Sequence, residues 1–310
     1  MSDDVHPLYT GGAADAAPIT VIDDTGEDPL KHPIRFKIQN SEMPDGKLRD
    51  QGNDAAEHMR YAATLKLPEL IQAPRPRLGR AIIVGGAPSV KDHLEEIRAL
   101  AADKSNAVFA INWTHTWLIQ NGIIPRGCVF FEIDAEPDTV LKAAHPSVTY
   151  FICSHCHQRS FDALEGHKRV LWHSPPNSDG EKVVGEELFK GSTLVGGGIS
   201  TFTRTMTIAL YLGYRHLDVF GCDSSYPEEG KTHVDGYETV MDSKVDGLFV
   251  WAKSNRTGQV KRFKTLGYLA LQVEEFKVYC EANHQYFSMR VYGDSLLRWA
   301  HEEAFPEQYI

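Results

Sequence analysis

From Arg80 onward the chain alternates short apolar runs with segments whose apolar residues recur every three or four positions. That alternation is the pattern of strand and helix units wound around a parallel sheet buried on both faces, and it predicts an α/β fold. The runs AIIVGG (81–86), AVFAIN (107–112), CVFFEID (128–134), TYFICS (149–154), RVLWHS (169–174) and LDVFGCD (217–223) read as strands. Between them VKDHLEEIRALAAD (90–103) and STFTRTMTIALYLG (200–213) are the clearest helices, the second closed by Gly213. Beyond residue 224 a polar stretch leads to LFVWAKS and QVKRFKT, which flank NRTG as a hairpin whose Gly258 can take a positive φ. A long helix over 266–283, a strand in YFSMRVYG and a final helix complete this part.

The first 78 residues lack this rhythm. Residues 1–30 are rich in Gly, Ala, Pro and Asp and read as an extended arm, while NDAAEHMRYAATL (53–65) predicts a short helix and LPELIQAPRPRLGR a proline-bearing linker. An arm of this kind is suited to packing on a second copy of the chain, so a homo-oligomer is one expectation.

Composition narrows the function. With 310 residues, 42% hydrophobic and 24% charged, the chain can bury a sizeable core. Its net charge of -10 argues against broad nucleic-acid binding, which relies on Lys and Arg neutralising phosphates. The apolar runs are strand-length and predict no membrane span, and residues 1–30 lack a basic-then-apolar leader, so the expected compartment is the cytoplasm.

One stretch, YFICSHCHQRS (150–160), holds Cys153, Cys156 and His157 in the spacing that attaches haem in exported proteins. Cys128, Cys222 and Cys280 are scattered, and no second paired-ligand motif follows to complete a zinc site. The favoured reading is structural thiols, with His155, Cys156 and His157 in a polar loop at the carboxyl edge of the sheet.

Ligands of parallel sheets bind at that edge, so the residues ending the strands carry the weight. Gly85, Gly86, Pro88 and Ser89 lie between a strand and a helix, where small residues let a phosphate approach backbone N–H groups. Asn112 closes the second strand, placed to contact a base or ribose or to serve a turn, and Thr114 is a candidate cap for the next helix. Glu132, Asp134 and Glu136 alternate, so they tend toward one face, where they would be solvated, paired or bridged by a divalent cation. Gly197 and Gly198 precede a helix that Ser200 or Thr201 caps, a second anion cradle. Asp223 ends the last strand of the series, and a long polar loop with Tyr226 and His233 follows; His233 is a candidate general base.

Taken together, RAIIVGGAPSVKDHLEEI, FAINWTHTWLIQNGIIPRGCVFFEIDAEP and GGISTFTRTMTIALYLGYRHLDVFGCDSSY resemble the MptE-like 6-hydroxymethylpterin diphosphokinase family. The pattern is also similar to motility accessory factor proteins that glycosylate flagellin and, more distantly, to bacterial sialyltransferases with a Rossmann-like fold. The family's Gly-x-Gly-Pro-Ser loop falls on Gly85 to Ser89, with Ala87 in place of a glycine, and its Pro-Asp turn on Pro125 and Arg126, basic where the family is acidic. Its strand-end aspartates fall on Asp134 and Asp223, the latter followed by Tyr226.

The resemblance implies a Rossmann-like nucleotide-binding domain over 79–235. Residues 1–78 then form an N-terminal arm with its short helical segment, and 236–310 a C-terminal hairpin and helices completing the same domain. It also implies a nucleotide ligand. The leading expectation is a glycosyltransferase taking a CMP-type nucleotide-activated sugar and needing no cofactor, with Ser89 and the helix N-termini on phosphate, Tyr226 donating to the leaving group and His233 deprotonating a small-molecule, glycan or protein acceptor. The second is a diphosphokinase acting on a hydroxymethyl acceptor, with Mg²⁺ held by Asp134 and Glu136. The third is a non-catalytic nucleotide-binding or assembly protein.

Overall fold

A computed structural model describes residues 51–132, 144–227, 233–234, 248–253 and 259–309. Asp134 and Glu136 lie outside these residues, as does the NRTG turn with Gly258.

The described chain builds a seven-stranded, wholly parallel sheet. Its strands are β1 (Arg80–Val84), β2 (Ala107–Ile111), β3 (Gly127–Phe130), β4 (Thr149–Cys153), β5 (Lys168–Trp172), β6 (His216–Phe220) and, after a separate hairpin, β9 (Ser288–Val291). They lie in the order β5-β4-β3-β2-β1-β6-β9, so the chain runs outward from β1 to β5 and then returns to lay β6 on the other side of β1. The reversal between β1 and β6 is the topological switch point, where crevices open at the carboxyl edge of such Rossmann-like sheets. Ala81 to Val84 are fully buried, which explains why β1 reads as an unbroken apolar run.

Helices cover the sheet: α1 (Gln51–Thr64), α2 (Leu94–Ala102), α3 (Thr114–Gln120), α4 (Gln158–Asp162), α5 (Asp179–Leu188), α6 (Thr201–Tyr211), α7 (Gly267–Asn283) and α8 (Leu296–Ala304). The segment expected as one helix over 90–103 begins instead as a 3-10 helix, Pro88–His93, before α2. Pro88 sets its first turn, the position where a missing N–H costs nothing. Thr114 does not cap α3: Trp113 is the capping residue, and Thr114 is the first helical residue and is buried. Ser200 does cap α6, accepting from the Thr203 N–H at 3.2 Å.

Residues 51–78 pack on the sheet. Ala56, Met59 and Ala62 of α1 join the core, and Leu70 and Leu171 exchange strand-like hydrogen bonds through Leu70 N–H to Leu171 O and Leu171 N–H to Pro68 O, both 2.8 Å. The expected hairpin is present as β7 (Leu248–Lys253) and β8 (Val260–Thr265), an antiparallel pair outside the main sheet. Its second strand braces the loop after β6: Tyr226 N–H donates to Lys264 O and Thr265 Oγ1 to Ser224 O, at 3.0 and 2.7 Å. Among the described residues no helix is long and apolar enough to cross a membrane.

Candidate active site

A cleft of about 420 Å³ opens at the switch point, lined by residues from the carboxyl ends of β1, β2, β3 and β6 and the N-terminal turns of α6 and α7. Of the residues expected at a site, Gly85, Gly86, Asn112, Ser200, Asp223, Tyr226 and His233 all line it. Pro88, Ser89, Gly197 and Gly198 do not line it; they shape the segments that do.

Ser89 acts through Asp223. Its Oγ donates to Asp223 Oδ1 at 2.6 Å and its N–H to Oδ2 at 3.4 Å, so the glycine loop is tied to the end of β6. Burial pushes the Asp223 carboxyl up to about 6, although the Ser89 bonds favour its charge. A perturbed carboxyl inside a cleft marks a functional candidate.

Gly85, just past the end of β1, packs its backbone against Gly221 beyond the end of β6. A Cβ there would meet the Gly221 carbonyl oxygen and lie 2.7 Å from Cys222 Sγ, and Gly221 itself has φ of +61°. Because the obstacle is backbone, the strands themselves must part to admit a methyl group. Gly85→Ala is expected to cost at least about 2 kcal/mol, read as a lower urea midpoint at unchanged slope.

Two other strand ends are left-handed without glycine, Asn112 with φ of +44° and Ser224 with φ of +52°. Strain of this kind persists only where the surroundings hold it. Asn112 is held from both sides: its Oδ1 accepts from Phe131 N–H at 3.4 Å and its Nδ2 donates to Glu132 Oε1. With its N–H turned to Asn112, Phe131 leaves the sheet. The strand expected to run to 134 therefore ends at Phe130, and Glu132 turns into the cleft.

The CSHCH stretch lies beside this corner. Cys156 Sγ accepts from Glu132 N–H at 3.4 Å, and His157 N–H donates to Glu132 O at 3.1 Å, so the loop clamps the Glu132 backbone. All five cysteines are buried and free. Among the described residues no group of three His, Cys, Asp or Glu is arranged to hold a metal ion.

The polar character expected of that loop does not extend to His155, which is only 2% exposed. It sits between Cys153 Sγ, 3.3 Å from Nδ1, and Glu181 Oε2, 3.5 Å from Nε2. Burial opposes its charge, but Cys153 and Glu181 outweigh that and carry its pKa up to about 9. Glu181 is also the third residue of α5, its N–H donating to the capping Ser178 Oγ at 3.2 Å while its carboxylate accepts from Asn177 N–H at 2.7 Å.

Some contributors have no sequence motif. Arg204, buried on α6, donates to Ser174 Oγ at 2.6 Å, Val195 O at 3.2 Å and Gly198 O at 2.5 Å, and lies 4.2 Å over the Phe131 ring. Glu275 on α7 accepts from Ile199 N–H at 2.8 Å. Together they fix the glycine loop that delivers the α6 N-terminus to the cleft. Tyr268, Leu269 and Gln272, from the start of α7, form the wall beside Ile199. The Tyr226 hydroxyl points to the hairpin, 3.4 Å from Thr265 O.

The sequence family described as 6-hydroxymethylpterin diphosphokinase MptE-like matches residues 58–229, more than half of the chain. The chain belongs to the MptE-like family. Membership supports a transferase. Among solved structures, the MAf glycosyltransferase of Magnetospirillum magneticum AMB-1 superimposes with a TM-score of 0.59 at 19% identity, over 80% of this chain and 37% of that one. The chain thus spans little more than a third of that enzyme, and the likeness is one of fold. A mammalian sialyltransferase, in complex with Gal-beta-1-3GalNAc-ortho-nitrophenol, aligns at a TM-score of 0.39 and 11% identity, over 79% of this chain and 81% of that one. No curated protein matches the chain.

Proposed function

We propose that the cleft is the donor site of a nucleotide-dependent glycosyltransferase that takes a CMP-type sugar. The observation carrying this reading is the charge of the lining. Among its described residues there is no Lys or Arg; the carboxylates are Glu132 and Asp223, and the positive potential comes from the N-terminal turn of α6, through Ser200, Thr201 and Phe202. A helix N-terminus amounts to about half a unit charge. Facing two carboxylates, that partial charge can offset the single negative charge of a sugar phosphodiester far better than those of a triphosphate, which would need cations brought with it.

In this reading the acceptor hydroxyl forms a bond to the anomeric carbon while the bond from that carbon to the CMP phosphate oxygen breaks. The electron pair leaves with CMP, and His233 takes the hydroxyl proton. His233 enters the cleft beside the glycine loop, where its ring carbon lies 3.6 Å from the place a Gly86 Cβ would occupy and Val234 N–H donates to Gly86 O at 2.9 Å. The α6 N-terminus stabilises the phosphate as its charge grows. Tyr226 forms a wall; donation to the leaving group requires its hydroxyl to exchange the Thr265 bond.

The second reading, diphosphoryl transfer from ATP, draws on the family and on Glu132. Glu132 lines the cleft and would add an oxygen ligand to those expected from Asp134 and Glu136, which Mg²⁺ takes alongside phosphate, and the ion would offset charge on the transferred group. Thermal shift against CMP, CTP, UDP and ATP, with and without Mg²⁺, separates the two. Stabilisation by CMP without metal is the expected result. Stabilisation by ATP only with Mg²⁺ replaces the first reading by the second, and no response to any nucleotide leaves an assembly protein.

A further inference from the structure

The corner of the cleft formed by Asn112 and Glu132 is more specific than a donor site in general requires. Glu132 is fixed at three points: its N–H by Cys156 Sγ, its C=O by His157 N–H, and its carboxylate by the Asn112 amide. The orientation of that amide follows from its partners, since the oxygen must face the Phe131 N–H donor and the nitrogen the Glu132 acceptor. An amide nitrogen carries two N–H donors and a carboxylate about four acceptor sites, and their mutual bond uses one of each. Both residues line the cleft, between Ile111 at the end of β2, Thr114 at the start of α3 and Phe131 just beyond β3.

An acceptor and a donor held side by side beside apolar walls match one edge of one pyrimidine. Cytosine presents an exocyclic amine next to an unprotonated ring nitrogen, a donor beside an acceptor. Uracil presents the reverse, a carbonyl next to a ring N–H. We infer that Glu132 and Asn112 read the base of the donor nucleotide, Glu132 accepting from the cytosine amine and Asn112 donating to the adjacent ring nitrogen. This assignment rests on the cleft being a nucleotide site. Uracil would set its carbonyl against the carboxylate and its N–H against the amide N–H, two mismatches in a half-buried corner, where an unmet polar group is costly.

The test is the ratio of CMP to UMP dissociation constants, measured by calorimetry on the full chain. A ratio taken within one variant is independent of how much of that variant is folded. Wild type is expected to prefer CMP by at least about tenfold. Glu132→Gln should bring the ratio near one, because the new amide donates to the uracil carbonyl. The double variant Asn112→Asp with Glu132→Gln exchanges donor and acceptor while keeping the net charge, and should prefer UMP. Binding of both nucleotides with equal affinity by wild type, or a ratio unmoved in both variants, overturns the assignment while leaving the nucleotide site standing. Binding of neither nucleotide by wild type removes the site reading and the assignment with it.

Discussion

Replacing Asp223 by Asn is expected to yield a protein that is more stable at pH 8 and binds nucleotide less tightly. The carboxyl is 6% exposed and burial lifts it from 3.8 to about 6. The folded state therefore holds the proton more tightly than the unfolded one. The sign follows: this carboxyl's contribution to stability is greatest below about pH 4, falls as pH rises through 6, and stays reduced above. A shift of two units corresponds to about 3 kcal/mol, from which the loss of one charge-assisted bond to Ser89 subtracts, so a net gain of about 1–2 kcal/mol is expected for the amide. Urea unfolding at pH 5 and pH 8 checks this, the gap between variant and wild type being larger at pH 8. CMP binding weaker by about tenfold is expected alongside, since Asp223 lines the cleft and ties the glycine loop to the end of β6 through Ser89. A variant less stable than wild type at pH 8 would contradict the account.

Glu181→Gln should have the opposite effect on stability. It removes the charge facing His155 in a site where both side chains are buried, and breaking one partner of a buried pair costs about 3 kcal/mol. The amide still accepts from Asn177 N–H, so the loss reports the pair rather than the α5 cap. Because Cys153 and Glu181 together raise the His155 pKa to about 9, the part owed to the pair is in place near pH 6.5 and is lost as pH rises through 9. Unfolding at pH 6 and pH 9.5 should therefore show the wild-type advantage shrinking at the higher value. Adding His155→Gln to Glu181→Gln should recover part of the loss, as removing both charges leaves neither buried alone.

Strands buried on both faces and helices closed by Ser200 and Gly213 declare themselves locally, so periodicity located the parallel sheet. Topology made the strand-end residues candidates, and Gly85, Gly86, Asn112, Asp223, Tyr226 and His233 meet in one cleft because β1, β2 and β6 are neighbours. What sequence did not disclose are bonds between distant segments. Nothing in GGAPS marks Ser89 as the partner of Asp223, and Arg204 and Glu275 read as ordinary helix charges until their contacts with the glycine loop are known. The same holds for His155, whose neighbour Glu181 lies on another element, and for β3, shortened by the asparagine that follows the neighbouring β2. The α1 segment looked peripheral because its apolar content is mostly Ala and Met, small surfaces that matter only once packed.

The left-handed backbone at Asn112, Gly221 and Ser224 has a consequence for descent. A cleft whose outline is set by main-chain turns keeps its shape when the side chains around it are exchanged. Selection is then free to rewrite the chemistry at Glu132, Tyr226 and His233 one residue at a time, while mutations that alter the turns are removed as folding defects. Shape and reaction are thus inherited separately, the first through conformation and the second through composition.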